Sequence, residues 1–312
     1  MNRLAPQVER PPAALRRSTT VFARWTTVSM VLSLVVWRRS EFLFLAQYSS
    51  DRQIGYYSIA FAATTALSML AERLAVVVTS AFATLHGAAA VERLRSGFKR
   101  ALRLLVILSL PVTALSAAIG PEAVAVVYGG DFEDAGPVLV VLVLSLPAFS
   151  IWTISGALLT GLDDARSPVF ASGVAAALNL VLAFVLVPHY DAVGAAAANL
   201  AAQVLAAAVM LRVASRKVEA GSWDLAVLIR PLLAAAGAGL GAWAILQAVE
   251  GVPGVILATL GGGLAYAGLA FLLGILTADD AMWLDEQIGH MLGGRMGRVA
   301  RLASRRAGGA TA

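Results

Sequence analysis

Five ionised side chains stand inside otherwise apolar runs: Arg38, Arg39, Glu41, Glu72 and Arg73. A charge at the centre of a hydrocarbon layer costs about 2.5–3.5 kcal/mol on insertion scales, so each needs a partner or water. Arg38 and Glu41 are three residues apart and share one face of a helix. Two chemistries suit such residues. Oppositely charged pairs can lock neighbouring helices together inside the membrane. Alternatively, arginine forks attract the phosphate of an anionic lipid headgroup while a carboxylate exchanges a proton or a cation. The residue types leave both open. On the second reading Arg38, Arg39 and Arg73 bind the substrate, and Glu41 and Glu72 couple an ion to its movement. Three uncharged polar residues, Asn179, Asn199 and Gln203, fall within apolar runs too. Amides there bond across helices, so they are read as helix-packing groups.

These residues need long apolar elements to position them. A helix needs about 20 apolar residues to cross a bilayer. The plainest case is a hairpin between Ser167 and Val213. Its arms, about Pro168 to Val187 and Ala192 to Leu211, carry no formal charge and flank the turn Pro188–His189–Tyr190–Asp191. Pro188 opposes continuation of a helix, and Gly194 lets the chain return close to itself. Six further spans are expected, near 25–48, 54–83, 101–119, 137–159, 225–249 and 255–277. Pro147 should kink the 137–159 span. Gly237 and Gly241, four apart, suggest close helix approach rather than a phosphate loop. The segments between are a basic loop at 93–103, a polar acidic turn at 120–136 and a short turn at 161–166.

The expected fold is therefore all-α, a polytopic membrane helical bundle of about eight transmembrane helices. Basic segments (the N-terminal arm, 93–103, 212–217 and the tail) alternate with acidic or neutral turns (49–53, 120–136, 188–191, 250–254). The positive-inside rule then places both termini in the cytoplasm. The domains expected are a basic arm at 1–24, a six-helix bundle at 25–213, an extra helix pair at 225–277 and a basic amphipathic tail at 281–312. In the tail, apolar positions at helical spacing interleave with Arg295, Arg298, Arg301, Arg305 and Arg306, which suits an anionic leaflet, with Trp283 at headgroup level.

Composition agrees. Of 312 residues, 59% are hydrophobic and 14% charged, against about 25% charged in soluble proteins. The net charge of +5 then reads as membrane orientation rather than nucleic-acid binding. With no cysteine there is no disulfide, thiolate metal site or thiol nucleophile. His86, His189 and His290 show no metal-ligand spacing and read as loop or interface residues. No intramembrane HExxH, no Ser/His pair within spans and no paired aspartates typical of membrane proteases are visible. The expectation is a carrier in the cell membrane, not an enzyme, with no cofactor, metal or nucleic acid.

Several stretches carry a resemblance: RRSEFLFLAQYSSDRQIGYYSIAFA (Arg38–Ala62), GDFEDAGPVLVVLVLSLP (Gly130–Pro147), LLTGLDDAR (Leu158–Arg166) and ALNLVLAFVLVPHYDAVGAAAANLAAQV (Ala177–Val204). They resemble polysaccharide flippases of the Wzx type, in the multidrug/oligosaccharidyl-lipid/polysaccharide exporter superfamily, over roughly Val21 to Leu276. The chain departs at Asp191 and Ala192, where the family has a glycine in that turn, and at Ala183, where asparagine is common. The resemblance implies the second six-helix lobe of a two-lobed transporter plus a final helix pair. It implies a polyprenyl pyrophosphate-linked saccharide as cargo, surrounding membrane lipids, and a partner lobe from a homodimer or a separate N-lobe subunit. The alternatives are a non-transporting scaffold or remnant of a glycan-assembly complex, and a drug or cation exporter of the same superfamily.

Overall fold

In hydrocarbon a backbone must satisfy its own polar groups, and a chain this apolar does so by forming helices. The computed structural model describes residues 40–221 and 228–275, with Thr20, Arg24 and Thr27. Helix 40–48 leads into α1 (Asp51–Gly87) and α2 (Val91–Tyr128). A 3-10 turn, Gly130–Phe132, precedes α3 (Ala135–Val143) and α4 (Leu146–Gly161). Then come α5 (Arg166–Lys217), α6 (Ile229–Ala248) and α7 (Gly251–Leu272), and no strand occurs among the described residues. Six stretches are long and apolar enough to span a membrane, with α3 and α4 together forming one of them. The basic arm apart from Thr20 and Arg24, the expected tail helix, Trp283 and the arginines at 38 and 39 lie outside the described residues.

α5 is 52 residues long, about 78 Å if straight, and so is two spans rather than one. Its helical geometry breaks at one residue, Asp191 (φ 48°, ψ −130°). The reversal therefore falls at the last residue of the expected turn, Pro188–Asp191. Pro188 lies inside the helix without an N–H to donate, and His189 Nδ1 lies 3.0 Å from the Val185 carbonyl oxygen. Asp191 takes the left-handed conformation usually given to glycine. Its carboxylate accepts a 2.6 Å bond from Ser49 Oγ, and the Ala192 N–H reaches Gln53 Oε1 at 3.4 Å. The arms then run antiparallel. Ala175 clusters with Ala202 and Ala206, and a Cβ on Gly194 would meet the Leu186 carbonyl.

The described residues form two compact units. The first holds 40–55, Ser68–Leu102 and Ala148–Gly221. At one of its ends lie the Ser49–Asp191 and Gln53–Ala192 bonds. At the other, Lys217 Nζ meets Asp164 Oδ2 at 3.1 Å, and Arg95 Nε donates to Val218 O at 3.0 Å. The second unit holds Tyr56–Leu67, Arg103–Pro147 and 228–275. Glu122 Oε1 accepts the Gly251 N–H at one end, while Arg103 and Arg230 donate to the Ile275 and Leu273 carbonyls at the other. Within each unit, turns grouped by charge thus lie at the same end.

Two expected boundaries move. The basic segment 93–103 is the opening of α2, not a loop, and the acidic segment 120–136 begins as the last turns of that 38-residue helix. Such a helix, about 57 Å long, outruns a 30 Å hydrocarbon core, so its charged ends project beyond it. The break at Pro147 falls at 144–145, where Ser145 donates both N–H and Oγ to Leu142 O. Of the two spaced glycines, a Cβ on Gly237 would touch Leu269, whereas one on Gly241 would meet nothing within 4 Å. Close approach of α6 to α7 runs instead through Ala238 and Ala242 against Gly262, whose added Cβ would sit 3.1 Å from Ala242 Cβ.

The Asp164 clasp carries a pH prediction. Burial, the largest single influence, opposes ionisation of this carboxyl, but bonds from the Ser167 N–H and Oγ and from Lys217 outweigh it and hold its pKa below 3.8. A group ionising at lower pH in the folded than in the unfolded state stabilises the fold above its unfolded pKa. That stability is lost as pH falls through the folded value. As pH drops below the unfolded value of 3.8, the thermal midpoint in detergent should therefore fall more steeply for the native chain than for Asp164→Asn. Equal slopes would deny the clasp its role.

Candidate functional site

Glu41 lies on helix 40–48 and is 1% exposed, the one acid buried among the described residues. Its Oε1 accepts from Asn179 Nδ2 at 2.8 Å and from Asn199 Nδ2 at 2.9 Å. Its Oε2 accepts from Ser40 Oγ at 3.1 Å, and Asn179 Nδ2 also lies 3.3 Å from that hydroxyl. Gln203 Nε2 supports the far side, donating to Asn199 Oδ1 at 2.8 Å. The hairpin explains the convergence: its two arms bring Asn179 and Asn199 level, one from each side of the reversal. Asn199 and Gln203, four apart, share a face.

Among the described residues, every side-chain bond to the carboxylate comes from a neutral donor. No arginine or lysine among the described residues pairs with it. The arrangement also leaves one acceptor over, because Asn179 Oδ1 is buried and bonded to no protein group. A buried acceptor without a donor costs about 1–3 kcal/mol. A carboxylate next to an unserved carbonyl oxygen suits a proton or a small cation. No group of three or more His, Asp or Glu residues with metal-site geometry occurs among the described residues.

The site thus gathers Glu41, Asn179, Asn199 and Gln203 of the expected residues, plus Ser40, which the sequence reading missed. Its only signal was a small hydroxyl residue between Arg39 and Glu41. Glu72 and Arg73 are elsewhere, on an exposed face of α1, and neither has an ion pair among the described residues. The hydrogen-bonded cluster is built on the first compact unit alone.

A helical bundle with six membrane-length apolar spans among the described residues defines a multi-pass membrane protein. The sequence matches the family described as "Lipid II flippase MurJ" over residues 21–260, and the chain belongs to that family. Among solved structures it is similar to a chain described as "Lipid II flippase MurJ, inward closed conformation", at 15% identity and a TM-score of 0.61. That match covers 80% of this chain and 52% of the other, so this chain spans about half the length of the protein it resembles. A likeness at that identity speaks to fold. A comparison with curated proteins gave no match. The resemblance to lipid-linked saccharide flippases therefore holds at the level of the superfamily, with the family found being MurJ rather than the Wzx type. Family and spans together make this a multi-pass inner-membrane protein.

Proposed function

We propose that the chain is one lobe of a flippase that carries a lipid-linked saccharide across the membrane, with Glu41 as the ion-coupling residue. The observation that carries this is the Glu41–Asn179–Asn199 cluster in a chain of the MurJ family. A proton or cation taken up by Glu41 neutralises the site, and its release restores the charge. Asn179 Oδ1 can accept the incoming proton's O–H or join the carboxylate around a cation. Such a switch between helix 40–48 and both hairpin arms couples ion occupancy to helix packing.

In this reading Arg38, Arg39 and Arg73 engage the pyrophosphate of a polyprenyl-linked substrate, whose oxygens match the guanidinium fork. Glu72 is the second coupling candidate. Eight spans with cytoplasmic ends, a 25–213 lobe and a 225–277 pair complete the proposal. The opposing wall comes from a second copy or a separate N-lobe subunit, since alternating access rocks one bundle against another. The cargo that the family name favours is lipid II; a Wzx-type polysaccharide precursor is the alternative.

The test is translocation of lipid II or another polyprenyl pyrophosphate saccharide in proteoliposomes, under an imposed proton or cation gradient. Arg39→Ala and Glu41→Gln should each lower gradient-driven flux by at least about tenfold, equivalent to 1.4 kcal/mol. Unchanged flux in both variants removes these residues from the mechanism. No flux by the native chain with any gradient or partner favours a scaffold or remnant, whereas dye efflux without lipid flux favours a drug or cation exporter.

A further inference from the structure

Asp191 stands in a conformation that its residue type resists. With φ 48° and ψ −130° it lies outside the small left-handed helical region, at ψ of about +30° to +60°, that aspartate visits. Glycine enters this part of backbone space freely. A Cβ crowds the chain there, and such a residue persists only where its surroundings hold it. A bend alone has no use for the carboxylate, so another contact must offset the strain.

That contact is with Ser49, whose Oγ lies 2.6 Å from Asp191 Oδ1. The distance is short, as expected of a hydroxyl donating to a charged acceptor. Ser49 closes helix 40–48, and its N–H bonds to the Leu45 carbonyl. The helix is fastened to the hairpin along its length. Glu41 meets Asn179 and Asn199, the Tyr48 ring meets Phe184 edge-on at 6.3 Å, and Ser49 reaches Asp191. Leu45, fully buried, lies one turn from both Glu41 and Ser49. Ser49 is eight residues beyond Glu41, about 12 Å along a helix axis. All these residues belong to the first compact unit. Bonds to Glu41 hold one end and the bond to Ser49 holds the other. With the second tie gone the helix can swing about the first, and bonds of 2.8 and 2.9 Å to Glu41 leave little room for that.

We infer that Asp191 is a positioning residue for Glu41: it takes on backbone strain at the hairpin tip so that its carboxylate can tie Ser49 and fix the helix carrying Glu41 against both arms. The inference rests on the reading of Glu41 as the ion-coupling residue. It adds the group that keeps this carboxylate in register with the two amides. A proton or cation arriving at Glu41 then changes the bonds at one end of a helix whose other end stays pinned, so the response is a tilt about Ser49.

Asp191→Gly separates the side chain from the bend, because glycine adopts this backbone more readily than aspartate and lacks only the tie. Hydrogen exchange of the full chain in detergent, read by mass spectrometry, should show amides 42–48 exchanging about tenfold faster than in the native chain, with 195–210 unchanged. Ser49→Ala should match it, and the double variant should be no faster than either, since each removes the same bond. Asp191→Asn keeps an oxygen for Ser49 Oγ and should exchange close to the native rate. A residue that only shapes the bend would leave Asp191→Gly at the native rate or slower. In proteoliposomes Asp191→Gly should lower gradient-driven flux more than gradient-free flux. The inference is overturned by native exchange or undiminished gradient-driven flux in Asp191→Gly, by Asp191→Asn exchanging as fast as Asp191→Gly, by equal acceleration in 195–210, or by additive effects in the double variant. A native chain without gradient-driven flux overturns the coupling role of Glu41 instead, and leaves the exchange result standing.

Discussion

Glu41→Ala is expected to lower the stability of the protein by about 3–5 kcal/mol. The loss has two sources. Asn179 and Asn199 each keep a buried N–H with nothing to accept it, and a cavity opens where the side chain was. Glu41→Gln should cost about 1 kcal/mol, because the amide oxygen still accepts from both asparagines while its nitrogen can donate to Ser40 Oγ. Denaturation in mixed detergent micelles measures both. The difference separates scaffold from switch: glutamine keeps the packing and removes the charge, so flux should fall while stability holds. Pairing Glu41→Ala with Asn199→Leu should show strong non-additivity, since the second change removes a donor that the first leaves orphaned. Additive losses would mean that the bonds contribute little.

The second large effect is at Gly194. A methyl group there would lie 2.7 Å from the Leu186 carbonyl carbon, against backbone that cannot rotate aside. Gly194→Ala should destabilise the hairpin by about 2–3 kcal/mol. Gly173→Ala, in the first arm with nothing within 4 Å of its added Cβ, should instead be neutral or gain up to about 1 kcal/mol of helix propensity. Thermal unfolding of the two variants decides the matter. Equal midpoints would show that the arms do not approach closely at Gly194.

Much of the architecture can be read along the chain because lipid imposes a simple rule. Two uncharged runs of about 20 residues around Pro188 announce a hairpin, and Pro147 announces a break. Helix ends are harder. The arginines of 93–103 look like a loop because charge usually marks the membrane edge, but a helix can carry its charged turns out into water. The site was legible as single residues. Glu41, Asn179, Asn199 and Gln203 each stand out as polar in an apolar run, yet nothing in their spacing says that they meet. Asn179 and Asn199 reach Glu41 across 138 and 158 residues. Glu72 and Arg73 were equally visible in the sequence. Only their direction on α1 separates them from the buried carboxylate.

The left-handed residue at Asp191 has a consequence for which changes of length the chain tolerates. It sets where the two arms fold back, and so which residue of one arm stands opposite which of the other. One residue inserted between Asn179 and the bend, or between the bend and Asn199, would swing an amide about 100° around its helix axis and lift it by 1.5 Å. Substitutions along the arms leave that phase intact. Insertions and deletions there destroy it.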